Sequence, residues 1–458
     1  MFFDSDFDRL VTPSLPISMA DIPQTGDSKD SQLARGGLLT YSIKVSAVVF
    51  AFAAQLLIAR FLGKAGYGDY SFAVATFNFL VIFAVAGSDS AATRFIAQYQ
   101  NSVLDLQRCL TWIQRRAWVF SGVILLGSLL VVEAIRQFDE RSIWITTQII
   151  CIAIPFQVFS ILRQGVLRGR QRPVLSVLPE GLIRPISTLI FVTTVLISGN
   201  LFWGKFSTVH AAWIFVMVSL VALASGHWLL RRELTEIPLS ATPTETNDGV
   251  VEWRSMAWAS MFSTMAISIH SQCDVWMLGL VTENTLVGPY AAAAKYAVFV
   301  LFGINALNTA MGPMLSQAVG DKSRLQALAR RSVLLSFVLG FIVAIPLLCF
   351  PGFMLNLFGK SFDTASLPLR ILVGANLFNV ICGSVGLMLS MTGHHSTFMK
   401  ILLSSMVLNI VLNATLIPLY QTIGAAVATA ISVVFWNMLA LIAVRQKIGI
   451  RPALGGLV

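Results

Sequence analysis

The sequence predicts an all-α integral membrane protein in which about twelve transmembrane helices form two six-helix lobes. Of its 458 residues, 56% are hydrophobic and only 12% are charged, whereas soluble proteins carry about 25% charged residues. The apolar residues fall into twelve runs near the roughly 20 residues that a helix needs to cross a bilayer. One long polar stretch after the N-terminal segment leaves six of these runs on each side.

The spans and their connections follow the chain in order. The predicted spans, given to within a few residues, are 37–59, 70–90, 117–135, 143–162, 174–198, 208–230, 255–281, 288–312, 332–350, 367–391, 400–419 and 423–444. The acidic N-terminal segment lacks the apolar core of a cleavable signal peptide. The predicted organisation is a disordered cytoplasmic tail (1–36), an N-terminal lobe (37–231), a cytoplasmic linker (232–251), a C-terminal lobe (252–446) and a second cytoplasmic tail (447–458).

The basic residues set the predicted orientation, because Lys and Arg concentrate in the cytoplasmic loops of membrane proteins. The tails and even-numbered loops hold 22 of them, and the odd-numbered loops hold 6. We therefore expect both termini in the cytoplasm. The net charge of +10 is divided among alternating loops, which argues against a surface that binds nucleic acid.

Neither enzyme chemistry nor metal binding is indicated. The five cysteines are odd in number and show no CxxC spacing, so neither a disulfide framework nor a zinc site is predicted. The sequence contains no P-loop, no paired acidic nucleotide-sugar motif and no Ser-His-Asp order that would support catalysis. Its loops are too short for a soluble catalytic domain. We expect no enzyme activity, no metal and no cofactor.

A short motif occurs twice along the chain. ARFLGKAGYGDYSFAVA (59–75) is similar to GLVTENTLVGPYAAAAKYA (279–297), and Gly68 and Gly288 open the second helix of each half, 220 residues apart. We predict that both are hinges that use the backbone freedom of glycine. Gly169 and Gly393 repeat at an offset of 224. Such echoes indicate duplicated transporter halves, although Gly and Tyr also mark turns and interfaces in other membrane proteins.

These segments resemble the polysaccharide-export flippases, the Wzx-like branch of the multidrug/oligosaccharidyl-lipid/polysaccharide exporter superfamily. The first segment resembles the signature of their first hairpin, and CDVWMLGLVTENTLVGPYAAAAKYA (273–297) resembles the matching signature of their second half. The resemblance covers the chain from about residue 37 and includes LRGRQRP (167–173), MTGHH (391–395) and GAAVATAIS (424–432).

The resemblance implies a V-shaped bundle with a central cavity that moves a polyprenyl-pyrophosphate-linked oligosaccharide across the bacterial inner membrane. The product would be a surface polysaccharide such as exopolysaccharide, capsule or O-antigen. The implied partners are the lipid-linked glycan, membrane lipids, a polysaccharide polymerase and chain-length proteins. Some members of the family have fourteen spans, and the acidic tail is not part of their pattern.

Ionisable side chains at bilayer depth cost about 2.5–3.5 kcal/mol each and are therefore functional candidates. Glu180 and Arg184 lie one turn apart on the fifth span, and Pro179, Gly181 and Pro185 predict a kinked or unwound helix there. Arg184 is ten residues, or about 15 Å, from the inner end of the span. Either the pair neutralises itself, or Glu180 positions Arg184 to bind an anionic headgroup, because a guanidinium matches phosphate geometry.

The remaining candidates are Lys44, His270, Asp274 and Lys295. An antiparallel hairpin would place Asp274 and Lys295 at equal depth as an ion pair, with His270 one turn deeper. This pair is either a structural salt bridge or a switch, in which substrate phosphate takes Lys295 and Asp274 then takes a proton or Na⁺. His270 could take part, since the pKa of histidine is near 6.5. Lys44 either extends to the cytoplasm or adds positive charge to the cavity.

Two other functions are weighed against a flippase that works by alternating access coupled to an ion gradient. The first is a multidrug or metabolite antiporter, since one fold hosts several functions. The cations Lys44, Arg184 and Lys295 suit a pyrophosphate, whereas exporters of cationic drugs need acidic cavities. The second is a membrane glycan polymerase or ligase, which would show a large outer loop with an acidic pair. The longest predicted outer loop, 351–366, has only roughly 16 residues.

We expect a reporter fused at Val458 to be active only in the cytoplasm and a reporter fused near Thr282 to be active only outside. The reason is the distribution of Lys and Arg over the loops. Paired alkaline phosphatase and fluorescent protein fusions measure this orientation. Cytoplasmic activity at Thr282 would contradict the twelve-span assignment.

Overall fold

The computed structural model describes residues 26–99, 102–139, 141–198, 206–234 and 248–450, and this part of the chain is helical throughout apart from short connections. The α-helices are α1 (Gly26–Val85), α2 (Ser88–Gln98), α3 (Val103–Arg136), α4 (Ile143–Cys151), α5 (Ile154–Gly169), α6 (Pro173–Leu178), α7 (Arg184–Ser198), α8 (Thr208–Leu234), α9 (Asp248–Val281), α10 (Asn284–Phe299), α11 (Phe302–Gln317), α12 (Lys322–Cys349), α13 (Pro351–Asn356), α14 (Ser366–Cys382), α15 (Val385–Met391) and α16 (His395–Lys447).

Among the described residues, seven helices are long and apolar enough to cross a membrane, or up to nine if each of two bent helix pairs forms one span. The bent pairs are α4 with α5 (45°) and α10 with α11 (46°). Two of the seven helices, α1 and α16, are each interrupted by one non-helical residue, Gly63 (φ 68°) and Gln421 (φ 49°). The 53 residues of α16 would extend about 80 Å as a straight helix, far beyond a bilayer core of about 30 Å.

Hydrogen bonds show that both interrupted helices turn back on themselves. Tyr67 Oη donates to Gln55 Oε1 across Gly63 (3.1 Å), and Ser405 Oγ donates to the carbonyl oxygen of Ser432 across Gln421 (2.9 Å). In straight helices these residues would be about 18 Å and 40 Å apart. Each interrupted helix therefore contains two antiparallel spans.

With these two hairpins, the helices match the twelve predicted spans in order. Spans 1 and 2 are the arms of α1, and spans 11 and 12 are the arms of α16. The spans between them are α3 (span 3), α4–α5 (span 4), α6–α7 (span 5), α8 (span 6), α9 (span 7), α10–α11 (span 8), α12 (span 9) and α14–α15 (span 10). The predicted all-helical membrane fold is confirmed.

The predicted tail and linker boundaries need correction. Helix α1 begins at Gly26, so residues 26–36 are helical, whereas residues 1–25 lie outside the described residues. Helix α8 extends to Leu234 and α9 begins at Asp248, which leaves 235–247 of the linker outside the described part. Residues 451–458 of the second tail also lie outside it.

The two repeated glycines bring the lobes together. A Cβ at Gly68 would overlap the carbonyl oxygen of Asn284, and a Cβ at Gly288 would overlap the carbonyl oxygen of Lys64. A single shift of 220 residues relates the two contacts, so the hairpins pack reciprocally. The predicted reason for these glycines is wrong, because both lie inside helices without positive φ. They allow close helix packing, while the chain reverses at Gly63.

Aromatic side chains extend this contact on the predicted outer side. Phe358 lies in the connection between spans 9 and 10. Its ring centroid is 5.9 Å from that of Tyr67, 5.5 Å from that of Phe52 and 5.4 Å from that of Tyr296. Arg60 Nε donates to the carbonyl oxygen of Leu357 (2.7 Å). Because these residues come from both lobes, the cluster joins the lobes at their predicted outer ends.

A second set of contacts joins the lobes on the predicted cytoplasmic side. A Cβ at Gly87 would overlap the carbonyl oxygen of Ala257, and Ser260 Oγ donates to Ser90 Oγ (2.6 Å). The guanidinium of Arg116 lies 5.2 Å from the ring centroid of Trp258. The N-terminal lobe therefore contacts span 7 on the predicted cytoplasmic side and the start of span 8 on the predicted outer side.

We expect Gly288→Ala to destabilise the protein by about 1–3 kcal/mol, the usual cost of overpacking, because the added methyl group meets the backbone of span 2. Gly374→Ala is the matched control, since a Cβ at this helical glycine has no neighbour within 4 Å. Thermal unfolding in detergent measures both variants. Equal melting temperatures for the two variants would show that close packing at Gly288 is not required.

Candidate functional site

Arg184 is positioned by a break in span 5. The residues between α6 and α7 form a π-helical turn, Pro179–Ile183, which widens the helix where the prolines were predicted to loosen it. Such turns commonly occur at functional sites. Pro179 begins the turn and Pro185 follows Arg184, so both lie where the ordinary hydrogen-bond ladder is interrupted. The break turns Arg184 toward spans 4 and 6.

The guanidinium of Arg184 binds side chains from three spans. Nη1 donates to Glu180 Oε2 (2.9 Å) and to Gln157 Oε1 (2.5 Å), and Nη2 donates to Ser219 Oγ (3.0 Å). Its central carbon lies 5.1 Å from the ring centroid of Phe215. The predicted Glu180–Arg184 pair is confirmed, and Gln157 and Ser219 fix its geometry. The side chain of Arg184 keeps 20% of its surface accessible, so it can still contact a ligand.

A cavity of about 250 Å³ opens beside Arg184 within the N-terminal lobe, and we call it the Arg184 cavity. Spans 1, 2, 5 and 6 supply its walls. Polar groups come from Gln55, Tyr70, Glu180, Arg184 and Thr188, and the rest of the wall is mainly apolar. At about 30 Å³ per water molecule, this volume has room for a phosphate group but not for an oligosaccharide.

Lys295 reaches this region from the other lobe. Its Nζ donates to Gln55 Oε1 (2.6 Å), the same atom that accepts from Tyr67 Oη (3.1 Å). The ammonium also lies 5.3 Å from the ring centroid of Tyr67. Gln55 therefore couples a cation of the C-terminal lobe to the wall of the Arg184 cavity.

The predicted ion pair between Asp274 and Lys295 does not form. Asp274 is 6% exposed and accepts hydrogen bonds from Tyr290 Oη (2.6 Å) and from the backbone N–H of Val275 (2.8 Å). The two residues have similar depth but point to different neighbours. The structure thus separates a buried carboxylate in the C-terminal lobe from the cation that meets Gln55.

Two predicted candidates cannot be placed as side chains. Lys44 and His270 lie in helices α1 and α9, but their side chains lie outside the described part of the structure. The contribution of Lys44 to the cavity and the partnership of His270 with Asp274 therefore remain sequence-based predictions.

A second polar cavity, of about 260 Å³, lies between the lobes on the predicted cytoplasmic side, and we call it the inter-lobe cavity. It is lined by spans 2, 4 and 7, and its polar groups include Asn78, Asp89, Gln157, Thr264 and Gln272. Gln157 is shared, because it lines this cavity and also accepts from Arg184. The amide of Gln157 therefore connects the inter-lobe cavity with the arginine.

An apolar cavity of about 140 Å³ adjoins the inter-lobe cavity. It is lined in part by Phe79, Ile269, Trp276 and Met277. Asn78, Ile82, Ser268 and Gln272 line both spaces. Polar and apolar walls therefore meet between spans 2 and 7, which suits a ligand with a charged part and a hydrocarbon part.

Several residues of the site were missed by the sequence reasoning. Gln55, Gln157 and Ser219 are uncharged, so they do not stand out in an apolar sequence, although polar residues inside spans are a usable signal. Asp69 lies beside the noted Gly68, is 3% exposed and accepts a hydrogen bond from Ser142 Oγ. Arg163 follows the predicted end of span 4 at residue 162, but it lies inside helix α5 and is buried.

The site is suited to binding an anion rather than to metal chemistry. Arg184 lines the Arg184 cavity together with Glu180, Lys295 binds Gln55 in its wall, and Arg184 has donors in a planar fork. Within the described residues there is no group of three or more His, Cys, Asp or Glu side chains that could hold a metal ion.

The sequence matches known protein families and known proteins. Residues 33–319 match the family described as polysaccharide biosynthesis protein, and 259–415 match the family described as MatE. The chain is 24% identical over 434 residues to a probable flippase, AglR, of Haloferax volcanii, covering 92% of this chain and 85% of that protein. It is 23% identical over 382 residues to a putative O-antigen transporter of Escherichia coli K12, covering 81% and 86%.

The fold is shared with solved transporters. A multidrug resistance transporter of the MATE family and MOP superfamily, in an inward-facing conformation, superposes with a TM-score of 0.71. The match covers 90% of this chain and 98% of the other at 13% identity. At this identity the likeness establishes the fold and leaves the substrate to the chemistry of the site.

Proposed function

The chain belongs to the polysaccharide biosynthesis protein family, and from this premise we propose that it is a flippase for a polyprenyl-pyrophosphate-linked oligosaccharide. It is a membrane transporter and not an enzyme. Under the proposal, the transported glycan is a building block of a surface polysaccharide. The names of the two relatives, a probable flippase and a putative O-antigen transporter, support this substrate class.

The observation that carries the proposal is the accessible guanidinium of Arg184 beside a cavity. Three hydrogen-bond acceptors from three spans hold the side chain in place. The side chain therefore loses little conformational entropy when a ligand binds. A guanidinium binds phosphate oxygens through two parallel N–H donors. The diphosphate of the substrate is the group that this arginine would recognise.

The route follows from the two polar cavities. The headgroup would enter the inter-lobe cavity from the cytoplasm, pass Gln157 and bind Arg184, while the polyprenyl chain stays against apolar walls. Lys295 would add a second cation when Gln55 releases it. Because neither cavity is large enough for an oligosaccharide, the lobes must separate during transport. This is the alternating access expected of such transporters.

The setting is proposed from the charges of the loops. Their distribution favours both termini in the cytoplasm, and the nature of the substrate favours the inner membrane of a bacterium. A polysaccharide polymerase and chain-length proteins would then receive the glycan on the outer side.

The charge of the site favours a flippase over a multidrug or metabolite antiporter. The named cations, Arg184 and Lys295, suit an anionic substrate, whereas a cationic drug would be repelled by them. Lys44, if its side chain faces the cavity, strengthens this preference.

We expect Arg184→Ala to abolish glycan export and Arg184→Lys to be partly defective, because lysine keeps the charge but loses the planar fork. Glu180→Gln should be milder than Arg184→Ala, since the arginine and its other acceptors remain. The measurement is polysaccharide export in a null strain, normalised to the amount of membrane-inserted protein.

The outcome separates binding from structure. If the pair were only structural, Glu180→Gln would leave the arginine unpaired and Arg184→Ala would leave the carboxylate unpaired. The two variants would then reduce the protein level by similar amounts. Full export by Arg184→Ala would remove this residue from the binding site.

Asp274 is the proposed coupling residue, with His270 as its proposed partner, because a buried carboxylate at bilayer depth can carry a proton or Na⁺. We expect Asp274→Asn to keep the hydrogen bond from Tyr290 but to lose any stimulation of flipping by an imposed proton or Na⁺ gradient. Flipping in inverted vesicles with and without each gradient measures this. If Asp69→Asn loses the response and Asp274→Asn retains it, coupling belongs to the N-terminal lobe.

A further inference from the structure

Arg163 is a buried cation without a hydrogen-bond partner among the described residues. It lies in α5 on span 4, is 4% exposed, and none of its three guanidinium nitrogens has a hydrogen-bond partner in the described protein. Buried polar groups of native proteins are almost always hydrogen-bonded. A buried charge costs more than a neutral group, so an arginine kept in this state requires a reason.

The neighbouring span leaves space for this side chain. A Cβ at Gly226 on span 6 would overlap the guanidinium of Arg163, so the absence of a side chain at 226 accommodates the arginine. Span 6 also supplies Ser219, which binds Arg184. The two arginines are therefore packed against the same helix at different depths.

The depths follow from the helix rise. Arg163 is six residues beyond Gln157 on span 4, and Gly226 is seven residues beyond Ser219 on span 6. Both spacings place Arg163 about 9–10 Å nearer to the predicted cytoplasmic side than the guanidinium of Arg184. Glu180 is one turn from Arg184 in the same direction, about 6 Å, and so lies between the two arginines.

Only one carboxylate oxygen of Glu180 accepts a hydrogen bond from Arg184. Its Oε2 accepts from Arg184, whereas its Oε1 is buried and has no hydrogen-bond partner in the described part of the chain. Its negative charge acts electrostatically on Arg163. A carboxylate oxygen without a donor thus lies at a depth between Arg184 and a guanidinium without an acceptor, among the described residues.

We propose that Glu180 exchanges partners during transport, binding Arg184 when the site is empty and Arg163 when an anionic headgroup occupies Arg184. Arg163 is then a positioning residue that never contacts the substrate. The exchange would free one N–H of Arg184 Nη1 for a phosphate oxygen, while the other still donates to Gln157, and it would keep the carboxylate away from the incoming negative charge. This inference rests on the proposed binding of the headgroup by Arg184.

The test is the affinity of the purified full-length protein for inorganic pyrophosphate, measured by calorimetry. Arg163→Gln should weaken binding about tenfold, or about 1.4 kcal/mol, because Glu180 then stays on Arg184. The double variant Arg163→Gln/Glu180→Gln should recover the affinity of Glu180→Gln alone, because no carboxylate competes any longer. Arg163→Lys keeps a cation and should bind nearly as well as the unmodified protein.

The control and the contrary outcomes are distinct. Arg168→Gln, on the same helix but with a side chain 44% exposed and paired with Asp89, should leave the affinity unchanged. Unchanged affinity in Arg163→Gln would overturn the exchange. Loss of binding that the double variant does not recover would show that Arg163 contacts the anion itself. If the unmodified protein binds no better than Arg184→Ala, the proposed function fails before the exchange is reached.

Discussion

The structure depends on holding one guanidinium inside a lipid-embedded helix bundle. A charge near the middle of the bilayer is costly, and hydrogen-bond partners and polar surroundings lower that cost. Arg184 meets this requirement through spans 4, 5 and 6, each of which supplies an acceptor. The π-helical turn of span 5, the polar residues on the neighbouring spans and the adjoining cavity all surround this guanidinium. Together they let the N-terminal lobe hold a charged side chain.

The C-terminal lobe contacts the N-terminal lobe at a few separate places. The glycine contacts of the two hairpins and the contacts near Gly87 are close but local, and one side chain, Gln55, links Lys295 to the Arg184 cavity. Transport of a large glycan requires these contacts to open in turn, because the polar cavities of about 250 and 260 Å³ are small. The aromatic cluster around Phe358 also joins the lobes and would have to come apart in the same motion.

The sequence predicted what depends on one helix and failed where several helices meet. Glu180 and Arg184 are one turn apart, so their pairing follows from helix geometry. The pairing of Asp274 with Lys295 was wrong because equal depth does not fix the direction in which each side chain points. Gln157 and Ser219 reach the arginine from other spans, which no local pattern reveals. The repeated glycines were recognised, but only the packed hairpins show that they serve close approach.

The central claim is that this positively charged site moves an anionic lipid-linked glycan. The most direct test uses proteoliposomes that contain a fluorescent polyprenyl-pyrophosphate-linked sugar and a membrane-impermeant quencher. The account predicts that the unmodified protein exposes the inner-leaflet lipid to the quencher, whereas protein-free vesicles keep it protected, and that a cationic dye is not transported. Protection of the lipid equal to that in protein-free vesicles, together with transport of the dye, would contradict it.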